Sequence, residues 1–88
     1  MDNSTYYIII GLSDSGISYI SNTLPIIWSS DFHKAIKYDT FDKANLAVYE
    51  NMDTLRKVIE QTSMKHIYIY NAYGQHAEIS HNKLMEVL

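Results

Sequence analysis

Lys65-His66-Ile67-Tyr68-Ile69-Tyr70 alternates strictly at period two. In an extended chain this sends Ile67 and Ile69 to one face and His66, Tyr68 and Tyr70 to the other. One face is apolar and requires a core. The other carries aromatic rings with polar tips, which suit a face left half open for contact. The stretch reads as a β-strand that ends at Asn71-Ala72-Tyr73-Gly74, a turn whose glycine tolerates positive φ.

Upstream, Tyr6-Tyr7-Ile8-Ile9-Ile10 is β-branched and aromatic without interruption and is expected in the middle of the sheet. Gly11 to Gly16 then forms a turn into Ile17-Ser18-Tyr19-Ile20, giving a hairpin. Pro25 breaks the pattern, and Ile26-Ile27-Trp28 resumes as a short edge strand. Ser29-Ser30-Asp31 offers a cap for a helical turn from Phe32 to Ala35, followed by an extended Ile36-Lys37-Tyr38.

Thr40 is the expected N-cap of the main helical region, with Asp42 in the first turn where the helix dipole favours an acid. Phe41, Ala44, Val48, Met52, Leu55, Val58 and Ile59 recur at three- and four-residue spacing and form one apolar stripe. The region runs unbroken to about Thr62, or it pauses at Asn51 to Thr54, where Asp53 and Thr54 cap a second helix. After the aromatic strand, Gln75 to Ser80 is expected to pair back as a last strand. Ser80 then caps a short C-terminal helix bearing Leu84, Val87 and Leu88.

The fold class is therefore α+β: a small antiparallel sheet of three to five strands, with one helical region, Phe41 to Thr62, packed on one face. Its expected core is Ile8, Ile10, Phe41, Ala44, Val48, Leu55, Val58, Ile67 and Ile69. The 88 residues suit a single domain spanning 1–88. A chain of this size can bury roughly 60 to 65% of its unfolded surface, enough for one modest core. With no cysteine there is no disulfide framework, and Tyr6 to Ile10 is far too short for a signal or membrane segment. A cytoplasmic location is expected.

Ten acids against seven bases give a net charge of −3, with no run of like charge. Nucleic-acid binders usually show a basic patch because phosphate neutralisation supplies most of their affinity, so direct nucleic-acid binding is not expected. Asp31, Asp39, Asp42, Glu50 and Asp53 outnumber Lys34, Lys37 and Lys43 in the middle of the chain, which makes a mildly acidic patch.

Asp31-Phe32-His33-Lys34-Ala35-Ile36-Lys37-Tyr38-Asp39-Thr40-Phe41-Asp42-Lys43-Ala44 contains the pattern Ala-x-x-aromatic-x-Thr-x-x-x-Ala, placed after a hairpin and opening a helix. Over roughly Tyr6 to Ile69 the chain resembles small, mostly uncharacterised proteins encoded by phages and mobile elements of low-GC Gram-positive bacteria. The resemblance implies an N-terminal hairpin feeding a helix that packs on a small antiparallel sheet. It carries no catalytic residue. It also implies an accessory factor, of the kind that includes inhibitors which bind and block host defence enzymes such as CRISPR nucleases, acting in the host cytoplasm.

Other chemistries are poorly supplied. Gly11-x-x-x-x-Gly16 imitates the glycine spacing of a phosphate-binding loop, but Ile17 stands where that motif needs lysine, and Asp14 would repel phosphate. His76 and His81, five apart, converge on one ion in neither a strand nor a helix. No nucleophile elbow accompanies the Ser, His and Asp residues. No enzymatic activity, cofactor or metal is expected.

Eight tyrosines stand against two Phe and one Trp. Tyrosine offers contact area, a hydrogen-bonding tip and few rotors, and is enriched at interfaces. The expected function is a non-catalytic protein–protein interaction with a larger partner that has a basic surface. Tyr68, Tyr70 and His66 are the leading site residues, with Tyr73, Asp39, Asp42 and Asp53 behind them. The alternatives are single-stranded nucleic-acid stacking on the aromatic face, homo-oligomerisation through a sheet edge, and the plain case in which the tyrosines only stabilise the sheet.

Overall fold

The computed structural model describes residues 5–73 and 84–86, with side-chain surroundings for residues 6–72. Five antiparallel strands form one sheet in the order β3-β2-β1-β4-β5: β1 Thr5–Ser13, β2 Gly16–Thr23, β3 Ile26–Ser29, β4 Met64–Tyr73 and β5 Leu84–Glu86. Two helices, α1 Phe41–Glu50 and α2 Met52–Gln61, connect β3 to β4. The α+β class is as expected, and the uninterrupted apolar run of β1 does lie at the centre, paired to β2 on one side and β4 on the other.

The β1–β2 hairpin closes through Asp14 and Ser15, with Ser13 opposite Gly16. Gly16 takes φ +128°, a conformation L side chains rarely adopt. Gly11 answers a different need. A Cβ there would run into Met64 and would lie 3.0 Å from Trp28 Cζ3. Trp28 reaches over Gly11 from β3 because Ser18, opposite Gly11 on β2, is also small. The two glycines thus serve a packing crossover and a turn, not a phosphate cradle.

After Tyr19, β2 draws away from β1, and the extended segment around Ile36 and Tyr38 fills the gap. Tyr38 exchanges two 2.8 Å backbone hydrogen bonds with Tyr7, and Ile36 N–H donates to the Ile20 carbonyl at 3.0 Å. A 3₁₀ turn, Phe32–Lys34, precedes it, capped by Asp31 Oδ1 accepting from His33 N–H at 2.9 Å. These backbone groups are satisfied where they would otherwise be orphaned in the interior.

Thr40 caps α1 as expected, its Oγ1 accepting from Lys43 N–H at 3.2 Å. The helical region is not continuous. Asn51, at φ −112° and ψ 19°, separates α1 from α2, and its Nδ2 donates to the Ala47 carbonyl at 2.8 Å. An amide side chain that bonds backward onto the preceding turn competes with helix propagation.

The core is two layers, one on each side of the sheet. Ile9, Ile20, Met64, Ile67 and Ile69 pack against Ala44, Val48 and Leu55 of the helices, with Phe41 and Val58 only partly buried beside them. On the opposite face Ile8, Ile10, Tyr70 and Ala72 are buried with Ala35, flanked by Tyr6, Tyr19, Phe32 and Tyr68. Placing Ile8 and Ile10 in one core with the helix residues is therefore corrected: Ile9 faces the helices. A strand apolar at three consecutive positions supplies both faces, and both need cover.

Leu84–Glu86 is a strand paired with Tyr68–Tyr70, not part of a C-terminal helix. The expected strand at Gln75 to Ser80, its cap at Ser80, the turn glycine Gly74, and His76 and His81 lie outside the described residues.

Candidate interaction surface

The alternation that opens the sequence reading is present. Ile67 and Ile69 pack toward the helices, and Tyr68 and Tyr70 belong to the opposite face. Tyr70, however, is only 2% exposed. Its expected place as a presented ring is corrected: it sits in the second core layer with Ile8, Ile10, Ala35 and Ala72. Tyr68 is half-buried at the margin of that layer, and its ring lies 6.0 Å from His66, tilted by 34°. His66 is exposed. A stacking platform made of Tyr68 and Tyr70 together is not available. The Tyr73 backbone closes β4, and its side chain lies outside the described residues.

The start of β4 departs from simple alternation because Leu12 pairs with His66 while Ser13 pairs with Met64. Lys65 is the extra residue of a bulge. That bulge turns Met64 onto the helix-facing side and leaves Lys65 exposed, where unbroken alternation would have driven a lysine under the helices.

The acids lie elsewhere. Asp39, Asp42 and Asp53 are all exposed. Asp39 is paired to Lys43, Nζ to Oδ2 at 3.1 Å, with both side chains well solvated. Such a solvated contact contributes little to stability. Asp42, Glu50 and Asp53 form no ion pair among the described residues.

Between these acids the outer side of α1 carries two apolar residues. Tyr49 is 74% exposed and Leu46 is 55% exposed. Asp42, Leu46, Tyr49 and Glu50 follow helical spacing of four, seven and eight residues from Asp42, so they share one outward stripe. At 1.5 Å per residue it extends for about 12 Å, and exposed Asn45 adjoins it. Asp53 follows in the first turn of α2.

Leu46 and Tyr49 are the residues that sequence reasoning overlooks. The signal was present: neither fits the stripe of Phe41, Ala44 and Val48, so an α1 packed by that stripe must turn them outward.

Tyr6, Tyr19 and Tyr38 differ from Tyr49 in setting. Burial raises the pKa of all three above the usual 10.0. Tyr6 also has Lys37 Nζ at 5.6 Å from its ring centre, within cation–π range. These are sheet and margin residues, with Tyr19 edge-on to Phe32 at 5.6 Å.

Among the described residues no group of three or more His, Asp or Glu could hold a metal ion, and no helix is long and apolar enough to cross a membrane. No family model, curated protein or solved structure matches the chain.

Proposed function

We propose that this chain is a non-catalytic interaction domain whose contact surface is the outer stripe of α1, and that its partner is a larger protein with a basic surface. The observation that carries this reading is Tyr49, 74% exposed on the same outward stripe of α1 as Leu46 and the acids Asp42 and Glu50, which form no ion pair among the described residues. An aromatic anchor surrounded by polar groups that exclude water is the usual arrangement of an interface hot spot. The net charge of −3 and the exposed acids favour approach to positive potential and speed association.

The resemblance to phage and mobile-element accessory proteins extends the proposal to the partner's class. A host defence enzyme that handles nucleic acid, such as a CRISPR nuclease, has the basic surface this stripe would meet, and occupation of that surface would inhibit it. Supporting this are the resemblance and the charge of the stripe.

The test is recovery of partners from a low-GC Gram-positive lysate by wild type and by a Leu46→Ala, Tyr49→Ala double variant. Wild type should retain a defined protein that the double variant loses and that raised salt releases. Equal recovery by both forms, with both folded, would overturn the assignment of the surface.

A further inference from the structure

Asp42 and Asp53 each stand in the first turn of a helix, where the positive end of the macrodipole favours an acid. Glu50 has no such reason. It is the last residue of α1, at the negative end of the dipole, and the last turn of α1 carries no base to offset it. It is exposed and forms no ion pair among the described residues, Lys43 being bonded to Asp39 instead. An acid held against local preference without a compensating partner in the chain points to a functional position. The end of α1 is thus a region of negative potential that favours a cation from outside.

The neighbouring side chains decide which cation. Tyr49 is 74% exposed and Leu46 is 55% exposed, and Leu46 lies one turn before both Tyr49 and Glu50. Exposed Asn45 lies one turn before Tyr49 as well. Helical side chains lean toward the N-terminus, which carries the Tyr49 ring over the turn that holds Asn45 and Leu46. An ammonium is a compact, strongly hydrated point charge and gains little from such surroundings. A guanidinium is planar and weakly hydrated, stacks on aromatic faces, and has a fork of donors that can meet a carboxylate and an amide oxygen together.

We infer that the α1 stripe recognises arginine. The partner's guanidinium stacks on the Tyr49 ring against Leu46, with its donors directed to the Glu50 carboxylate and the Asn45 amide oxygen. The inference rests on the α1 stripe being the contact surface and names the side chain that the partner's basic surface brings to it.

Two otherwise identical glycine–serine peptides, one bearing arginines and one bearing lysines at the same positions, separate this chemistry from bare charge. Titrated into the isotopically labelled full chain and followed by NMR, the arginine peptide should bind about two- to fivefold more tightly. Its arginine δ-methylene protons should move upfield and show nuclear Overhauser contacts to the Tyr49 ring. Tyr49→Phe should keep the preference and Tyr49→Leu should remove it. Glu50→Gln should weaken binding of both peptides without lowering the urea midpoint, because it relieves the acid at the negative end of the dipole. An acid with a purely structural role would lower the midpoint and leave binding unchanged. Far-ultraviolet circular dichroism checks that each variant is folded. Equal affinities of wild type for the two peptides, no binding of the arginine peptide, or a preference that survives Tyr49→Leu would overturn the inference. Its failure is distinct from failure of the surface assignment. Equal peptide affinities, with a lysate partner still lost in the Leu46→Ala, Tyr49→Ala double variant, would remove arginine and keep the surface. A clear arginine preference with equal lysate recovery would support arginine recognition and remove the stripe as the partner contact.

Discussion

Tyr70 and Tyr49 show how one side chain can serve two ends. Tyr70 fills the second core layer, whereas Tyr49 stands almost free in water. Tyr70→Ala should therefore cost about 3–5 kcal/mol in urea unfolding, as for other large buried aromatics. Tyr49→Ala should change stability by no more than about 0.5 kcal/mol. Titration offers a second check. In the folded protein Tyr6, Tyr19 and Tyr38 hold their protons above the ordinary 10.0, because burial disfavours the phenolate. The unfolded chain then loses protons first as pH rises. Their contribution to stability is complete below about pH 10 and declines as pH rises through the folded values. Urea midpoints measured from pH 8 to pH 11 should fall only at the upper end of that range, and a midpoint that rose there would contradict the assignment.

At the scale of elements, local chemistry was the more legible part. Thr40 followed by Asp42 announced the start of α1, and the Thr40 hydroxyl does accept from Lys43 N–H. Thr40→Ala should lower stability by about 1 kcal/mol, with a loss of helical ellipticity on heating that Thr40→Ser restores. The hairpin, the edge strand at Ile26 and the turn at Phe32 were also readable, because each is marked by turn or capping residues. Two things were not. The sequence leaves the helical region open between a continuous run and a pause at Asn51 to Thr54; the pause is the observed case, but it falls at Asn51, whose side chain bonds back to Ala47, and not at a cap on Asp53 or Thr54. The bulge at Lys65 depends on the register against Leu12 and Ser13, a long-range pairing that periodicity within β4 cannot reveal. Leu84–Glu86 was misread because Leu84, Val87 and Leu88 have helical spacing, yet strand pairing with β4 prevails.

The whole molecule separates its tasks. Ile8-Ile9-Ile10 supplies apolar side chains to both faces of the sheet, so both faces carry a core layer, and Tyr70 is packed into one of them rather than offered. This was legible in principle: an unbroken apolar run in a central strand signals burial on both sides, and it outweighs the alternation in β4. Among the described residues the exposed large apolar side chains lie on the outer side of α1, beside exposed acids, and on the β2–β3 hairpin, which is neutral. Site-specific photo-crosslinking tests the central proposal most directly. A photoreactive residue replacing Tyr49, compared with the same residue replacing exposed Lys57 on α2, should give a single salt-sensitive adduct in host lysate from position 49 and little from position 57. Adducts of equal yield and composition at both positions, or none at position 49, would contradict the claim that the α1 stripe is where this protein meets its partner.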